Sequence, residues 1–209
     1  KIIYNKQSKL EDFQKAEQLL LNESRSGNVL AIHDLGKLHS TDKLGAKDEE
    51  KSLRYYSEAL KGFLEVEPSS KKLKPYVQYR IGKIYCYGSG TEQNYQKAFE
   101  WFERSAKQKN KFAQYSLANL YYYGNGVEKD LSLAFLWYQK SSAQGQPYAS
   151  YAIAQMYSKG EYVSQGGETA QRYYKAALSG FLELESKEQA DDNLCLKRVS
   201  ELTLIWIGL

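Results

Sequence analysis

Apolar residues recur at helical spacing within short segments of the chain, and these segments occur in pairs. Ala113, Leu117, Leu120 and Tyr121 are separated by three or four positions, which predicts a helix with one apolar stripe. After a glycine-containing turn, a second stripe begins at Ala134 and predicts a partner helix. The pattern therefore predicts a helical hairpin, whose first helix we call helix A and whose second we call helix B.

The hairpin recurs with a period of 36 residues. Equivalent positions are Tyr79, Tyr115 and Tyr151; Gly88, Gly124 and Gly160; Ala98, Ala134 and Ala170; and Trp101, Trp137 and Tyr173. A fixed period of this length is typical of arrays in which each unit buries its apolar face only against its neighbours. The sequence therefore predicts an all-α fold, an α-solenoid of antiparallel helical hairpins.

Residues between the stripes predict where the helices begin and end. Gly88 and Gly124 follow helix A, where glycine can take the left-handed conformation that closes a helix. Asn94 and Asp130 precede helix B, where their side chains can accept hydrogen bonds from free backbone N–H groups. We therefore expect C-caps at the glycines and N-caps at Asn94 and Asp130.

The repeat divides the chain into units within one α-solenoid domain, 1–209. The predicted parts are helix B of a partial repeat at 12–28, repeat 1 at 29–74, repeat 2 at 75–110, repeat 3 at 111–146, repeat 4 at 147–190 and helix A of a partial repeat at 191–209. Repeats 1 and 4 share a longer helix B, containing Gly62 and Gly180. The array starts and stops within a unit, and residues 204–209 are strongly apolar, so we expect a piece of a longer protein, or self-association through this end.

Composition narrows the classes of function only slightly. The chain is 42% hydrophobic and 26% charged, as in soluble globular proteins, and a net charge of +4 does not favour nucleic acid. Cys86 and Cys195 occupy non-equivalent positions without a CxxC motif, so we expect two small buried apolar residues and neither a disulfide nor a zinc site. With no membrane-length apolar run and no visible signal peptide, we expect a cytoplasmic protein, although a chain that opens on Lys1 leaves room for a removed N-terminus.

Written out in full, the repeat resembles the Sel1-like repeat family, a relative of tetratricopeptide repeats. The resemblance rests on alanine, leucine and tyrosine in helix A, the Gly124-Asn125-Gly126 turn, and alanine followed by Trp and an aromatic residue in helix B. It is clear over residues 76–174, and it implies a right-handed superhelix and an adaptor role rather than an enzyme. Repeat 1 departs from the pattern with Ser40 in its first turn, as does repeat 4 with Tyr162 in place of the second glycine.

A narrower resemblance is to the repeat-bearing C-terminal regions of bacterial mobilisation relaxases. It rests on Gly62-Phe63-Leu64-Glu65 and on Tyr121-Tyr122-Tyr123 before the glycine turn. This resemblance implies that any nuclease chemistry belongs to another part of a parent protein.

A candidate binding surface follows from the tetratricopeptide-like arrangement, in which helix A lines the concave side. Three rows of helix A residues should point there. The first is Leu30, Tyr76, Phe112 and Tyr148; the second is His33, Tyr79, Tyr115 and Tyr151; the third is Lys37, Lys83, Asn119 and Gln155; and Tyr122 joins them. Tyrosine offers a large rigid contact area with a polar tip, as binding surfaces do. For the second row, packing between A helices is an equally good explanation.

Two functional hypotheses follow. The first is a non-catalytic scaffold that binds a peptide or protein partner on the concave helix A face, without cofactor, metal or membrane. The alternative is an accessory region of a DNA-mobilisation protein whose basic loops make weak contacts with nucleic acid. Those loops contain Lys71, Lys72, Lys74, Lys107, Lys109 and Lys111. No nucleophile–base pair stands out, and His33 and His39 lie on different faces of one helix, so we expect no catalytic or metal-binding residues.

Overall fold

The computed structural model describes the backbone of residues 2–190 and the side-chain environments of residues 10–184. Within that range all regular elements are α-helices. They are α1 (Ile2–Arg25), α2 (Val29–His39), α3 (Glu49–Val66), α4 (Lys74–Tyr87), α5 (Tyr95–Lys107), α6 (Lys111–Tyr123), α7 (Leu131–Ser142), α8 (Pro147–Lys159) and α9 (Gly167–Ala190). The chain is an all-α helical repeat solenoid, as predicted. The expected helix A at 191–209, with Cys195 and the apolar end, lies outside the described residues.

The described residues form two compact units. The first unit contains residues 2–65, 89–92 and 188–190, and the second contains residues 66–88 and 93–187. In the first unit, α1 begins at Ile2, ten residues before the predicted start at 12, and it packs against α2. In the second unit α4 packs on α5, α5 on α6, α6 on α7 and α7 on α8. All of the candidate binding residues except Leu30, His33 and Lys37 belong to the second unit.

The predicted helix ends are confirmed. Gly88 and Gly124 close α4 and α6 in the left-handed conformation, with φ of 66° and 74°. The Asn94 side chain accepts from the backbone N–H of Lys97, and the Asp130 side chain accepts from those of Ser132 and Leu133. These caps satisfy backbone groups that a helix end would otherwise leave without partners.

One backbone hydrogen bond closes the turn of every hairpin. In the four described hairpins, the backbone N–H of Asp48 donates to the carbonyl of His39, that of Asn94 to Tyr85, that of Asp130 to Tyr121, and that of Gly166 to Tyr157. The donor follows the acceptor by nine residues in each case. Repeats 1 and 4 therefore keep this closure even though their sequences depart from the glycine-x-glycine pattern.

Buried serine hydroxyls and glutamine amides join helix A to helix B in repeats 2 and 3. The hydroxyl of Ser105 donates to the Pro75 carbonyl at 2.5 Å, and that of Ser141 donates to the Lys111 carbonyl at 2.7 Å. Glutamine pairs repeat in the same way, with Gln108 donating to Gln78 at 2.6 Å and Gln144 to Gln114 at 2.7 Å. The serine bonds and the glutamine bonds both hold the end of helix B against the start of helix A.

The longer helix B of repeats 1 and 4 uses a different contact at this place. A Cβ atom added to Gly62 would lie 2.7 Å from a Val29 methyl carbon, and one added to Gly180 would lie 2.8 Å from Pro147 Cβ. Glycine thus lets helix B cross very close to the start of helix A in both hairpins. Beyond these glycines, α3 continues to Val66 and α9 continues to Ala190.

Small and large apolar residues alternate in the core of the second unit. One cluster of buried residues consists of Ala98, Phe102, Ala106, Ala113, Leu117 and Leu120. A second consists of Ala118, Ala134, Phe135, Tyr138, Ala149, Ile153 and Met156. The alanines allow neighbouring helices to approach, and the large side chains fill the space between them.

Cys86, expected to be buried, is a half-buried free thiol, and burial raises its pKa.

Candidate binding surface

The A helices of the second unit expose a row of aromatic rings. Phe112 is 42% exposed, Tyr148 is 50% exposed and Tyr151 is 44% exposed, whereas Tyr76 is half-buried. We use the name A face for the surface formed by the exposed and half-buried side chains of α4, α6 and α8. The A face contains the ten candidate residues of the second unit: Tyr76, Tyr79, Lys83, Phe112, Tyr115, Asn119, Tyr122, Tyr148, Tyr151 and Gln155.

Residues of the second row hold the exposed rings in place. The Tyr79 ring stacks on Phe112, with 5.8 Å between centroids, and the Tyr115 ring lies 6.0 Å from Tyr148. From the helix B side, Phe102 lies 6.0 Å from Tyr79, and Tyr138 lies 5.9 Å from Tyr115. Tyr79 and Tyr115 thus pack between adjacent A helices and the core, so their role is at least partly structural.

Tyr151 is exposed although it is equivalent to Tyr79 and Tyr115. Its ring lies 5.6 Å from that of Tyr174 on α9. In the first unit, by contrast, the residues equivalent to the aromatic rows are enclosed, since Leu30 is 6% and His33 only 4% exposed. These two side chains offer almost no contact surface, so the exposed aromatic rings of the candidate rows belong to the second unit.

Asn119 has a fixed orientation on the A face. Its Oδ1 atom accepts a hydrogen bond of 2.6 Å from the hydroxyl of Tyr138, a buried residue on α7. The Asn119 amide nitrogen then remains as the donor group of this side chain. Lys83 and Gln155, which occupy the equivalent positions, are half-buried, and the Lys83 ammonium lies 5.6 Å from the centre of the Tyr87 ring.

Tyr122 connects the A face to the loop after α8. Its hydroxyl donates a 2.5 Å hydrogen bond to the Glu161 carboxylate, and its ring lies 6.4 Å from Tyr138. The bond to the carboxylate, together with burial, raises the pKa of Tyr122 to about 12. Tyr138 therefore lies behind Tyr115, Asn119 and Tyr122, and it brings these three predicted residues together.

Alkaline pH should destabilise the protein through these tyrosines. Burial raises the pKa of Tyr79 to about 12, whereas an unfolded tyrosine titrates near 10. As the pH rises, the Tyr79 hydroxyl therefore loses its proton in the unfolded state before it does so in the folded state. The contribution of Tyr79 to the free energy of unfolding is complete below pH ~10 and is lost as the pH rises to ~12. We expect Tyr79→Phe, which keeps the ring, to show a shallower fall in the free energy of unfolding between those two pH values. Urea denaturation across this range would measure it, and a slope equal to that of the unmodified protein would contradict the assignment.

Sequence reasoning assigned neither Tyr138 nor Lys111 to the binding surface, and it placed Lys111 only among the basic loops of the nucleic-acid alternative. Tyr138 is equivalent to Phe102, and a tyrosine hydroxyl in a core position signals that a hydrogen-bond partner is needed. Lys111 occupies the position of Pro75 and Pro147, and its ammonium lies 5.5 Å from the centre of the exposed Phe112 ring. Lys111 departs from the repeat, which was the available signal, whereas Tyr138 matches Tyr174 at the same position of repeat 4.

Among the residues that the structure describes, no group of three or more His, Cys, Asp or Glu residues is arranged to hold a metal ion. No helix among the described residues combines the length and apolar character needed to cross a membrane.

Comparison with known proteins agrees with the repeat pattern. A model of the Sel1 repeat matches residues 29–62, 75–110, 111–146 and 147–180. A Sel1 repeat protein from Oxalobacter formigenes is similar in structure, with a TM-score of 0.55 and 24% identity over 73% of this chain and 58% of that one. The c5321 protein, a protective antigen of uropathogenic Escherichia coli strains with an SLR fold, has a TM-score of 0.55 and 20% identity over 78% of this chain.

The likeness to these two structures is one of fold. The chain spans 58% of the length of the first and 40% of the second. Among curated proteins no sequence matches it significantly.

Proposed function

The chain belongs to the Sel1 repeat family, and from this premise we propose that it is a non-catalytic scaffold that binds a peptide or protein segment on the A face. Members of this family generally serve as scaffolds for protein–protein interaction. The observation that carries the proposal is the row of exposed rings of Phe112, Tyr148 and Tyr151 on packed helices. A cytoplasmic location and a concave shape of this face are part of the same proposal.

The packing behind the exposed rings supports binding. A ring that is already held in one orientation loses little conformational freedom when a partner covers it. Phe112 and Tyr148 are held in this way by Tyr79 and Tyr115. The orientation of the Asn119 amide adds a polar donor that can bind the backbone of an extended segment.

Loss of two exposed rings should weaken binding strongly. A phage-displayed library of random peptides is selected on the protein, and the affinity of the strongest peptide is measured by fluorescence anisotropy. We expect the Phe112→Ala, Tyr148→Ala double variant to bind at least about thirtyfold more weakly, because central aromatic residues of an interface contribute about 2 kcal/mol or more.

The matched control removes two exposed apolar side chains of the B helices. Leu136 and Leu178 are 42% and 58% exposed on α7 and α9, and the Leu136→Ala, Leu178→Ala variant should bind normally. Circular dichroism would show whether the Phe112→Ala, Tyr148→Ala variant is folded. If the folded variant bound the peptide as tightly as the unmodified protein does, the A face would be ruled out as the binding surface.

The nucleic-acid alternative stays a sequence-based prediction. Of the lysines that the sequence assigned to basic loops, Lys107 is the last residue of α5 and Lys74 is the first residue of α4. The Lys107 ammonium lies 2.8 Å from a Glu103 carboxylate oxygen, and that of Lys74 lies 3.7 Å from Glu67. Pairing with carboxylates reduces the positive potential that phosphate groups would meet. These contacts favour the peptide-binding proposal over the nucleic-acid one.

A further inference from the structure

The turn of repeat 4 departs from the turns of repeats 2 and 3 at one position. In repeats 2 and 3 this position is glycine, Gly90 and Gly126, and a Cβ added to Gly126 would lie 2.4 Å from the carbonyl carbon of Tyr95, the first residue of α5. In repeat 4 it is Tyr162, which has the left-handed φ of 67° and is 57% exposed. This conformation is unfavourable for a residue with a side chain, and backbone strain of this kind is concentrated at functional sites.

A cavity of about 590 Å³ lies beside Tyr162, bounded by α7 and by the turn after α8. Glycine, which occupies the position of Tyr162 in repeats 2 and 3, has no side chain that could form a wall there. The cavity wall at this place therefore follows from the departure at Tyr162. Most of the lining residues are apolar, namely Leu133, Phe135, Leu136, Tyr162 and Val163.

Packing on neighbouring helices holds the Tyr162 wall in place. The Tyr162 ring lies 5.7 Å from that of Phe135, which in turn lies 5.9 Å from Tyr157 on α8. One residue before Tyr162, the Glu161 carboxylate accepts the hydrogen bond from the Tyr122 hydroxyl. The wall is thus formed before a partner arrives, which reduces the entropy that binding has to overcome.

The lining is uncharged, which limits the chemistry of an occupant. Its two polar residues are Ser132 and Gln139, and none of the lining residues is Asp, Glu, Lys, Arg or His. The Ser132 hydroxyl already donates to the Asp130 carboxylate at 2.6 Å, so the exposed amide of Gln139 is the side-chain donor that remains. A charged group would lose hydration here without gaining a partner of opposite charge. The cavity therefore suits an apolar group with an amide beside it.

The cavity is open to solvent, which favours a side chain over a free small molecule. Leu136 and Tyr162 in its lining are 42% and 57% exposed, so the walls surround only part of an occupant. Sites for small molecules typically bury about 70–90% of the ligand surface. A side chain that stays attached to a protein backbone needs no such enclosure, and the backbone amides beside it can bond to Gln139.

From these observations we propose that the cavity is a second binding site, which takes one large uncharged side chain, such as leucine or phenylalanine, from a protein partner. The Tyr162 ring forms one wall, and Gln139 bonds to the partner backbone beside the inserted side chain. The site goes beyond the A face, because α7 and the turn after α8 line it, whereas α4, α6 and α8 form the A face.

Two small probes test this proposal, N-acetyl-leucine amide and N-acetyl-phenylalanine amide. Each is titrated into isotope-labelled protein, and the backbone amide shifts are followed by NMR. We expect saturable changes centred on residues 132–139 and 161–163, and none with N-acetyl-aspartic acid amide at the same concentrations. Changes that do not saturate, or equal binding of the aspartic acid probe, would overturn the proposal.

Two substitutions of Tyr162 test its ring. Tyr162→Phe keeps the ring and should bind both probes within about twofold of the unmodified protein. Tyr162→Gly introduces the residue of repeats 2 and 3, which accepts this φ, so the variant should fold. It should bind the probes at least about fivefold more weakly, because one aromatic wall is lost. Thermal denaturation would verify folding, and unchanged affinity of the folded glycine variant would overturn the proposal.

The cavity and the A face can be tested separately. The Phe112→Ala, Tyr148→Ala variant should bind both probes as the unmodified protein does. The Leu136→Ala, Leu178→Ala variant should bind the probes more weakly while it keeps its affinity for the A-face peptide. Probe shifts on α4, α6 and α8 that disappear in the first variant would overturn the cavity and leave the A face standing. Toluene that binds in the cavity more tightly than either amide probe would overturn the protein partner in favour of a free small molecule.

Discussion

Replacement of Gly126 by alanine is expected to lower the free energy of unfolding by about 2–5 kcal/mol. Gly126 has a φ of 69°, a conformation that costs a residue with a side chain about 1–2 kcal/mol. Its added Cβ would lie 2.4 Å from the Tyr95 carbonyl carbon and 2.6 Å from the Gln96 nitrogen. These atoms are helix backbone of the preceding repeat and cannot rotate away, so overpacking adds about 1–3 kcal/mol. Urea denaturation gives the measurement.

Gly145 provides the matched control for this substitution. It has a φ of 72°, but a Cβ added there would meet nothing within 4 Å. Gly145→Ala should therefore show only the conformational cost, about 1–2 kcal/mol. The difference between the two variants isolates the contact between the turn of repeat 3 and α5. Equal destabilisation by both would show that this contact does not stabilise the array.

The second large effect is expected at Phe102. This side chain is 1% exposed, and we expect Phe102→Ala to cost about 3–5 kcal/mol through lost burial and a cavity. A Cβ added to Gly82 would lie 2.6 Å from the Phe102 ring, which shows how closely α4 packs on it. Since Phe102 also contacts Tyr79, which stacks on Phe112, its loss should loosen the A face as well.

Phe102→Leu separates cavity formation from loss of the aromatic ring. A leucine keeps most of the volume and should cost less than about 1.5 kcal/mol. Thermal and urea denaturation of both variants would measure the difference. If alanine were no more costly than leucine, Phe102 would not be the packing centre of this hairpin.

Local features of the fold were predictable from the sequence. The C-caps at Gly88 and Gly124 and the N-caps at Asn94 and Asp130 depend on the residue itself and its immediate neighbours. The helical pairs follow from the apolar period in the same way. Such features are local, and a single sequence contains the information that determines them.

Other features depend on which neighbour a residue meets. Gly124 and Gly126 look alike in the sequence, yet only Gly126 touches the backbone of the preceding helix pair. Tyr162 shows the reverse case, because it takes the place of that glycine with a φ of 67° and its ring lies 5.7 Å from Phe135. No local pattern distinguishes these situations, since they depend on packing between repeats.

The candidate surface was predictable only in outline. The repeat predicted which helix A residues form rows. It could not distinguish Tyr79, which packs against the Phe112 ring, from Tyr151, which is exposed. The support that Tyr138 gives to Asn119 crosses from one helix to the next and was also missed. Tertiary packing decides which members of a repeated row support the surface and which are accessible to a partner.

Chemical-shift mapping by NMR with the strongest selected peptide would test the central claim, that the A face is the binding surface, most directly. We expect the largest changes in backbone amide shifts on α4, α6 and α8, centred on Phe112, Asn119 and Tyr148. Changes concentrated on α5 and α7, with the A helices unaffected, would contradict it.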